Sequence, residues 1–393
     1  MIITPRVRGF ICTTAHPIGC ARLVRDQVDW VRSQPRIAAS TSPNVLVVGG
    51  SGGYGLASRS VAAFALRAKT LCLSFEKAPT AETTATAGWY NNHAFDRIAA
   101  SDGLYARTVN ADAFADETKT QIADLVRRDL GGIDLLIYSL ASPVRRDPDS
   151  GTLFRSAIKP VGQPVHIKTL NVAKGVVHDV DLAPASEDEI HATVKVMGGE
   201  DWERWVTHLQ REGLLRPGFR TLAYTYIGSA LTWPIYWDGT LGKAKADLDR
   251  AAAELRRSLV PLGGDARVAV LKAVVTQASA AIPAIPLYAS LLFKVMKERG
   301  VHEDCVQQIH RLFRAHLADG ATSPTLDDAG RIRMDDWELD DAVQAEVRRR
   351  WDVVATDSVM DLSDLTGFRR DFLRIFGFEA AGVDYGADIS PLD

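Results

Sequence analysis

Cysteine is scarce. The four present, Cys12, Cys20, Cys72 and Cys305, are scattered through 393 residues without a C-x-x-C pair. That is too few for a disulfide framework and the wrong spacing for zinc, so the thiols read as reduced and no metal is expected. An excess of one charge is also missing. With 46 basic against 49 acidic residues the net charge is −3, so no global basic field exists to attract nucleic acid or an acidic membrane. The opening residues carry Arg6 and Arg8 where a signal peptide would need an apolar run. Two longer charge-free stretches, 221–237 and 273–293, are broken by Tyr224, Thr225, Gly228 and Pro234, and by Gln277, Pro283 and Pro286. A membrane-spanning helix should be more uniformly apolar, so these read as buried strands that end in functional loops. Repeats of 20 to 50 residues and low-complexity tracts are not visible. What is there, 46% apolar and 24% charged residues, is the balance of a globular protein, expected in the cytoplasm.

From residue 44 the chain alternates short apolar runs with helical patterns. Runs at 44–49, 69–75, 104–109, 134–139, 221–227 and 267–275 lack period-two alternation. They predict strands of a parallel sheet covered on both faces, hence a doubly wound Rossmann-type α/β fold. Residues 44–142 and 219–285 are assigned to this dinucleotide-binding sheet. The β-branched runs 165–170 and 191–196 and a helix near 201–212 fall in an inserted substrate-side segment, 143–218. Helices at 287–299, 303–318, 341–355 and 366–376 form a C-terminal extension, 286–393, within a single catalytic domain spanning 1–393.

The first strand runs into Gly49-Gly50-Ser51-Gly52-Gly53-Tyr54-Gly55 and then a helix. Glycines let backbone N–H groups approach a pyrophosphate at a helix N-terminus. The second strand ends at Phe75-Glu76, where a carboxylate can accept from both adenosine ribose hydroxyls and repel a 2′-phosphate; this favours NAD(H). Asp112-Ala113 and Leu140-Ala141 follow the third and fourth strands, in the crevice at their carboxyl ends. After the fifth strand, Lys245 lies nine positions beyond Tyr236. A phenol there can donate to an oxygen that gains charge, and an ammonium can lower the phenol pKa while holding a nicotinamide ribose. Tyr226 is a second phenol facing the same end, either core or a substrate contact. None of the nine histidines has metal spacing; His310 and His316 read as helix-surface residues, and Arg348-Arg349-Arg350 as a solvated helix face.

These blocks resemble the trans-2-enoyl-ACP/CoA reductases of the FabV/TER type. The similarity spans nearly the whole chain. It includes GFICTTAHPIGC, VVGGSGGYGLASR, Phe75-Glu76, GWYN, NADAF, LIYSLASP, Tyr226, Tyr236 with Lys245, and VTQASAAIP. The resemblance implies a monomeric, enlarged short-chain-dehydrogenase-like enzyme that uses NADH to reduce the trans-2 double bond of an enoyl thioester. The substrate would be carried on acyl carrier protein, and also on coenzyme A. It places the proton donor on Tyr236, the cofactor lysine on Lys245 and the substrate contact on Tyr226. The cofactor segments would be 49–54, 75–76, 112–113, 140–141 and Val274, Val275 and Thr276. Three positions depart from relatives: Gly50 and Gly52 stand where many carry an alanine and a hydroxyl residue, and Ala246 where some carry a second lysine. Competing readings are a short-chain-type alcohol dehydrogenase or ketoreductase, whose Tyr and Lys sit four apart, and a catalytically inactive dinucleotide-binding regulator.

Overall fold

The computed structural model describes all residues except 10, 40, 141, 281, 319–325 and 393. The apolar runs become β1 (Asn44–Val48), β2 (Lys69–Ser74), β3 (Ala106–Asn110), β4 (Ile133–Tyr138), β5 (Leu215–Thr225) and β6 (Asp265–Val270). A seventh strand, β7 (Ile332–Arg333), completes one sheet in the order β7-β6-β5-β4-β1-β2-β3, with every pairing parallel. This is the expected doubly wound arrangement. The order reverses between β1 and β4, and the crevice at that switch point is where a dinucleotide binds in such sheets.

Alternate residues of β1 show why its run has no polar partner face. Val45 and Val47 join a core with α2 (Gly53–Ala65), α3 (Ala87–Ser101) and α9 (Cys305–His316), while Leu46 and Val48 join the opposite core. That second core is closed by α4 (Asp116–Leu125), α6 (Glu200–Arg211) and α7 (Thr240–Leu259). Trp202 and Trp205 of α6 are fully buried beneath the sheet, donating to Thr221 Oγ1 and the Ala113 carbonyl. The C-terminal half of segment 143–218 therefore covers the sheet. Its earlier part forms two antiparallel hairpins, Val144–Arg146 with Leu153–Arg155 and Val165–Asn171 with Val176–Leu182.

Several boundaries differ from expectation. The β-branched run 191–196 lies in α5 (Glu187–Met197), because a Ser186/Glu189 capping box starts a helix that overrides the residue preference. The sixth strand stops at Val270, leaving 271–276 irregular. β5 begins earlier than expected, its register to β4 shifting between Leu215 and Arg220 around Pro217. Helix α1 (Pro17–Ser33), with Pro17 in its first turn and His16 Nδ1 accepting from Gly19 N, precedes the sheet. His310 is buried against Trp30, not on the surface. Arg350 is also buried, paired with Glu298 and Glu346. Beyond α8 (Ile285–Glu298), the C-terminal part is helical as expected, with α10 (Asp341–Val353) and α11 (Leu365–Arg374). No helix among the described residues is long and apolar enough to cross a membrane.

Candidate active site

The glycine turn fits at the switch point because nothing larger is accommodated at Gly49, Gly50 and Gly55. Gly49 has φ +88°, and a Cβ there would collide with the Ser139 carbonyl at the end of β4. A Cβ at Gly55 would fall on the Gly49 carbonyl, so the turn folds back onto itself before α2 begins. No side chain caps α2, whose N-cap is Gly52. Its first-turn N–H groups are therefore open to an anion. The departures at 50 and 52 have different explanations. A Cβ at Gly50 would lie 2.6 Å from Cys72 Sγ, so the sulfur of β2 fills the space an alanine methyl would need. A Cβ at Gly52 would meet nothing within 4 Å, so glycine there loses only the contact a side chain could offer.

Glu76 is tied to that turn. Ser51 Oγ donates to one carboxylate oxygen at 2.5 Å and Thr86 Oγ1 to the other at 2.5 Å. The backbone of Glu76 is clamped by Asn110, which accepts from its N–H at 2.7 Å and donates to its carbonyl at 2.9 Å. Phe75 beside it is 75% exposed, an apolar ring at the rim of the crevice. Asp112 accepts from Phe114 N at 2.9 Å, and the Ala113 carbonyl is occupied by Lys119 Nζ at 3.0 Å and the Trp205 indole at 3.1 Å. Leu140 is half-buried beside Ser139; Ala141 lies outside the described residues. Val274, Val275 and Thr276 are half-buried in the irregular segment after β6, with Thr276 Cγ2 4.0 Å from the Cβ position of Gly53. Tyr54 turns its side chain the other way, its hydroxyl sharing one proton between the Lys272 carbonyl and Gln308 Oε1, each at 2.9 Å. Only its backbone remains to meet a phosphate.

The fifth strand ends beside Tyr226, and the chain turns at Gly228 (φ +74°) into a loop that carries Tyr236. The Trp233 indole donates to the Gly228 carbonyl, Tyr236 N to the Thr232 carbonyl, and Gly242 N to the Tyr236 carbonyl. The two phenol rings meet edge to face, with centroids 5.1 Å apart. Around them lie Ile167, Ile235, Leu241, Ile282 and Ile285, an apolar wall. Burial pushes the Tyr236 phenol above its ordinary pKa, and no charge acts to lower it. The lowering expected from Lys245 has no counterpart here, where burial alone shifts the group and favours the protonated phenol. Its hydroxyl makes no hydrogen bond to any described residue. Lys245, on α7, is half-buried while Lys243 is exposed. Burial lowers the Lys245 ammonium to about 8, opposed by Asp249. Tyr226, by contrast, donates to Glu338 Oε1 at 2.9 Å. Glu338 went unnoticed in the sequence, being one acid among the charges of 335–341.

Residues 2–81 match the family described as NAD(P)H binding domain of trans-2-enoyl-CoA reductase, and 83–318 the Trans-2-enoyl-CoA reductase catalytic region. Residues 326–389 match the Enoyl reductase FAD binding domain. The chain is 51% identical over 394 residues to an enoyl-[acyl-carrier-protein] reductase [NADH] of Aliivibrio salmonicida, covering 100% of this chain and 98% of that one. Trans-2-enoyl-CoA reductase of Treponema denticola in complex with NAD superposes with a TM-score of 0.93 at 45% identity, over 99% of this chain and 98% of that one. The Clostridium acetobutylicum enzyme in complex with NADH gives 0.96 at 40%, over 100% and 98%. The glycine cradle and Glu76 fit a dinucleotide. A flavin does not fit 326–389, where the described residues form no strand–glycine turn–helix. The buried polar side chains there, Asp335, Glu338, Arg350 and Ser363, are each satisfied within the protein.

Proposed function

The chain belongs to the trans-2-enoyl-ACP/CoA reductase family, NADH-dependent enzymes that saturate an enoyl thioester, and from that membership we propose how its own residues carry the reaction. NADH, when bound, supplies the hydride that adds to the β-carbon of the thioester. The electron pair of the double bond then moves toward the carbonyl, and negative charge builds on the thioester oxygen. Tyr236, neutral and with an uncommitted O–H, donates a hydrogen bond to that oxygen as the charge develops. The α-carbon finally takes a proton, giving the saturated acyl thioester. Lys245 holds the nicotinamide ribose, Glu76 the adenosine ribose, and Gly49–Tyr54 backbone N–H groups the pyrophosphate. Val274, Val275 and Thr276 close the nicotinamide side, Asp112-Ala113 and Leu140 line the crevice, and Tyr226 contacts the acyl thioester.

One observation carries this reading: at the same end of the sheet as the glycine cradle, two phenols meet edge to face within an apolar wall, and of the two only Tyr236 keeps its hydroxyl free of described partners. Tyr236→Phe keeps the ring but removes the donor. It should cut turnover of NADH with crotonyl-CoA by ~10²–10³ while NADH still binds. Near wild-type turnover would reject Tyr236 as the donor. The physiological carrier is proposed to be acyl carrier protein, which the 51% identical relative's name specifies. Coenzyme A serves as a second carrier, and the enzyme is proposed to act as a cytoplasmic monomer. Its large exposed apolar side chains, among them Ile2, Phe75, Trp233 and Val353, are scattered along the chain. Kinetics with one acyl chain on both carriers tests the carrier, and sedimentation of the 42.8 kDa chain tests the monomer.

A further inference from the structure

Glu338 follows β7 and is completely buried, yet the reaction as derived does not use it. Its Oε1 accepts from Tyr226 Oη at 2.9 Å and from Tyr288 Oη at 2.8 Å; its Oε2 accepts from Ala273 N at 2.6 Å. Gln344 Nε2 braces the group, donating to Tyr288 Oη at 3.1 Å and to the Glu338 carbonyl at 2.6 Å. Burial pushes the carboxyl up, while these donors and the nearby Lys272 ammonium pull it back toward the carboxylate. Three donors aimed at two oxygens are the pattern of a carboxylate that accepts only.

A phenol has one O–H. On Tyr226 it is spent on Glu338, and the buried carboxylate further opposes its ionisation. The Tyr236 O–H has no such commitment. We propose that Glu338 is a positioning residue of the reductase: by taking the Tyr226 proton inward, it leaves Tyr236, of the two phenols, to donate to the enolate oxygen. Tyr226 then acts as an oriented wall and acceptor, not as a second donor. The same carboxylate grips Ala273 N, immediately before Val274, so it also fixes the start of the segment that faces the glycine turn. This rests on the enoyl-reductase reading above.

Glu338→Gln inverts the donor pattern. The amide oxygen must meet Ala273 N–H, so the amide nitrogen faces the two phenol oxygens and donates to them, and the Tyr226 proton is released toward the acyl site. Four proteins are compared for NADH oxidation with crotonyl-CoA, with NADH binding as the check of the fold: wild type, Tyr236→Phe, Tyr236→Phe with Glu338→Gln, and that pair with Tyr226→Phe added. The second change should regain roughly tenfold or more of the ~10²–10³ lost by the first, and the third should abolish the gain. A residue that merely supports the fold could only lower activity further. Glu338→Met, which also frees the proton, replaces the glutamine if that variant does not bind NADH. No gain in a variant that binds NADH, a gain that survives Tyr226→Phe, or loss of NADH binding in both replacements would each overturn the proposal. Wild-type enzyme inactive on enoyl thioesters would remove the underlying reading as well, and is seen before any variant is made.

Discussion

At the scale of one residue, the site works by what burial does to each ionisable group. It keeps the Tyr236 proton on, and it makes the Lys245 ammonium easier to lose, at about 8 where a free lysine holds its proton to about 10.4. The sign follows. Below about pH 8 Lys245 is charged and can donate to ribose hydroxyls; as pH rises through that value, donors and charge are lost. The Michaelis constant for NADH should therefore rise above about pH 8 in wild type. Lys245→Met should raise it at all pH values, depress turnover with it, and flatten the profile. Lys243, two residues earlier on α7, points about 200° away at roughly 100° per residue. It is exposed, so Lys243→Met should follow the wild-type curve. Steady-state kinetics across pH 6 to 9.5 on the three proteins checks this. The reverse ranking would mean that α7 presents the other lysine to the cofactor.

At the scale of elements, the selectivity for NADH proposed for Glu76 depends on where β2 stops. Asn110 at the end of β3 clamps the Glu76 backbone, while Ser51 and Thr86 hold its carboxylate against the glycine turn. A 2′-phosphate would meet a fixed anion there. Glu76→Ala should weaken NADH, relieve NADPH and so narrow the ratio of kcat/KM between them; a wild type that uses both equally would refute the role. This region was legible in sequence because a buried strand, a glycine turn and a strand-end acid are local patterns. So were Tyr226, Tyr236 and Lys245, which follow a recognisable apolar strand. What was illegible is equally physical. β7 is two residues long and has no periodicity to read. α5 hides behind β-branched residues, and its capping box outweighs their preference. Glu338 lies 112 residues from the tyrosine it binds, in a stretch whose charges read as solvated. The bond exists only once β7 docks beside β6.

At the scale of the whole molecule, the C-terminal segment backs the Glu76 side of the crevice. His16 N at the start of α1 donates to the Phe376 carbonyl at 2.9 Å, and Phe372, Phe376 and Phe378 pack with Cys20, Ala85 and Tyr90. Ala85 and Tyr90 flank Thr86 and Gly88, which touch the Glu76 carboxylate. The contact between α1 and the tail is close because two glycines make it: a Cβ at Gly19 would fall on the Gly377 carbonyl, and one at Gly377 would lie 2.5 Å from the His16 carbonyl and 2.6 Å from Cys20 N. Gly377 also has φ +78°, so alanine there adds about 1–3 kcal/mol of backbone strain to the clash. Gly300 supplies the control, with φ +71° and nothing within 4 Å of its Cβ position. Gly300→Ala should cost only the backbone term and leave NADH kinetics alone. Gly377→Ala should lower Tm by several degrees more than Gly300→Ala, because the tail must lift from α1. It should also raise the Michaelis constant for NADH more than that for the enoyl thioester, because the loop that orients Glu76 loses its backing. Calorimetry with kinetics on both variants separates the effects. Equal Tm losses with unchanged NADH kinetics would mean that the tail is packing without influence on the cofactor crevice.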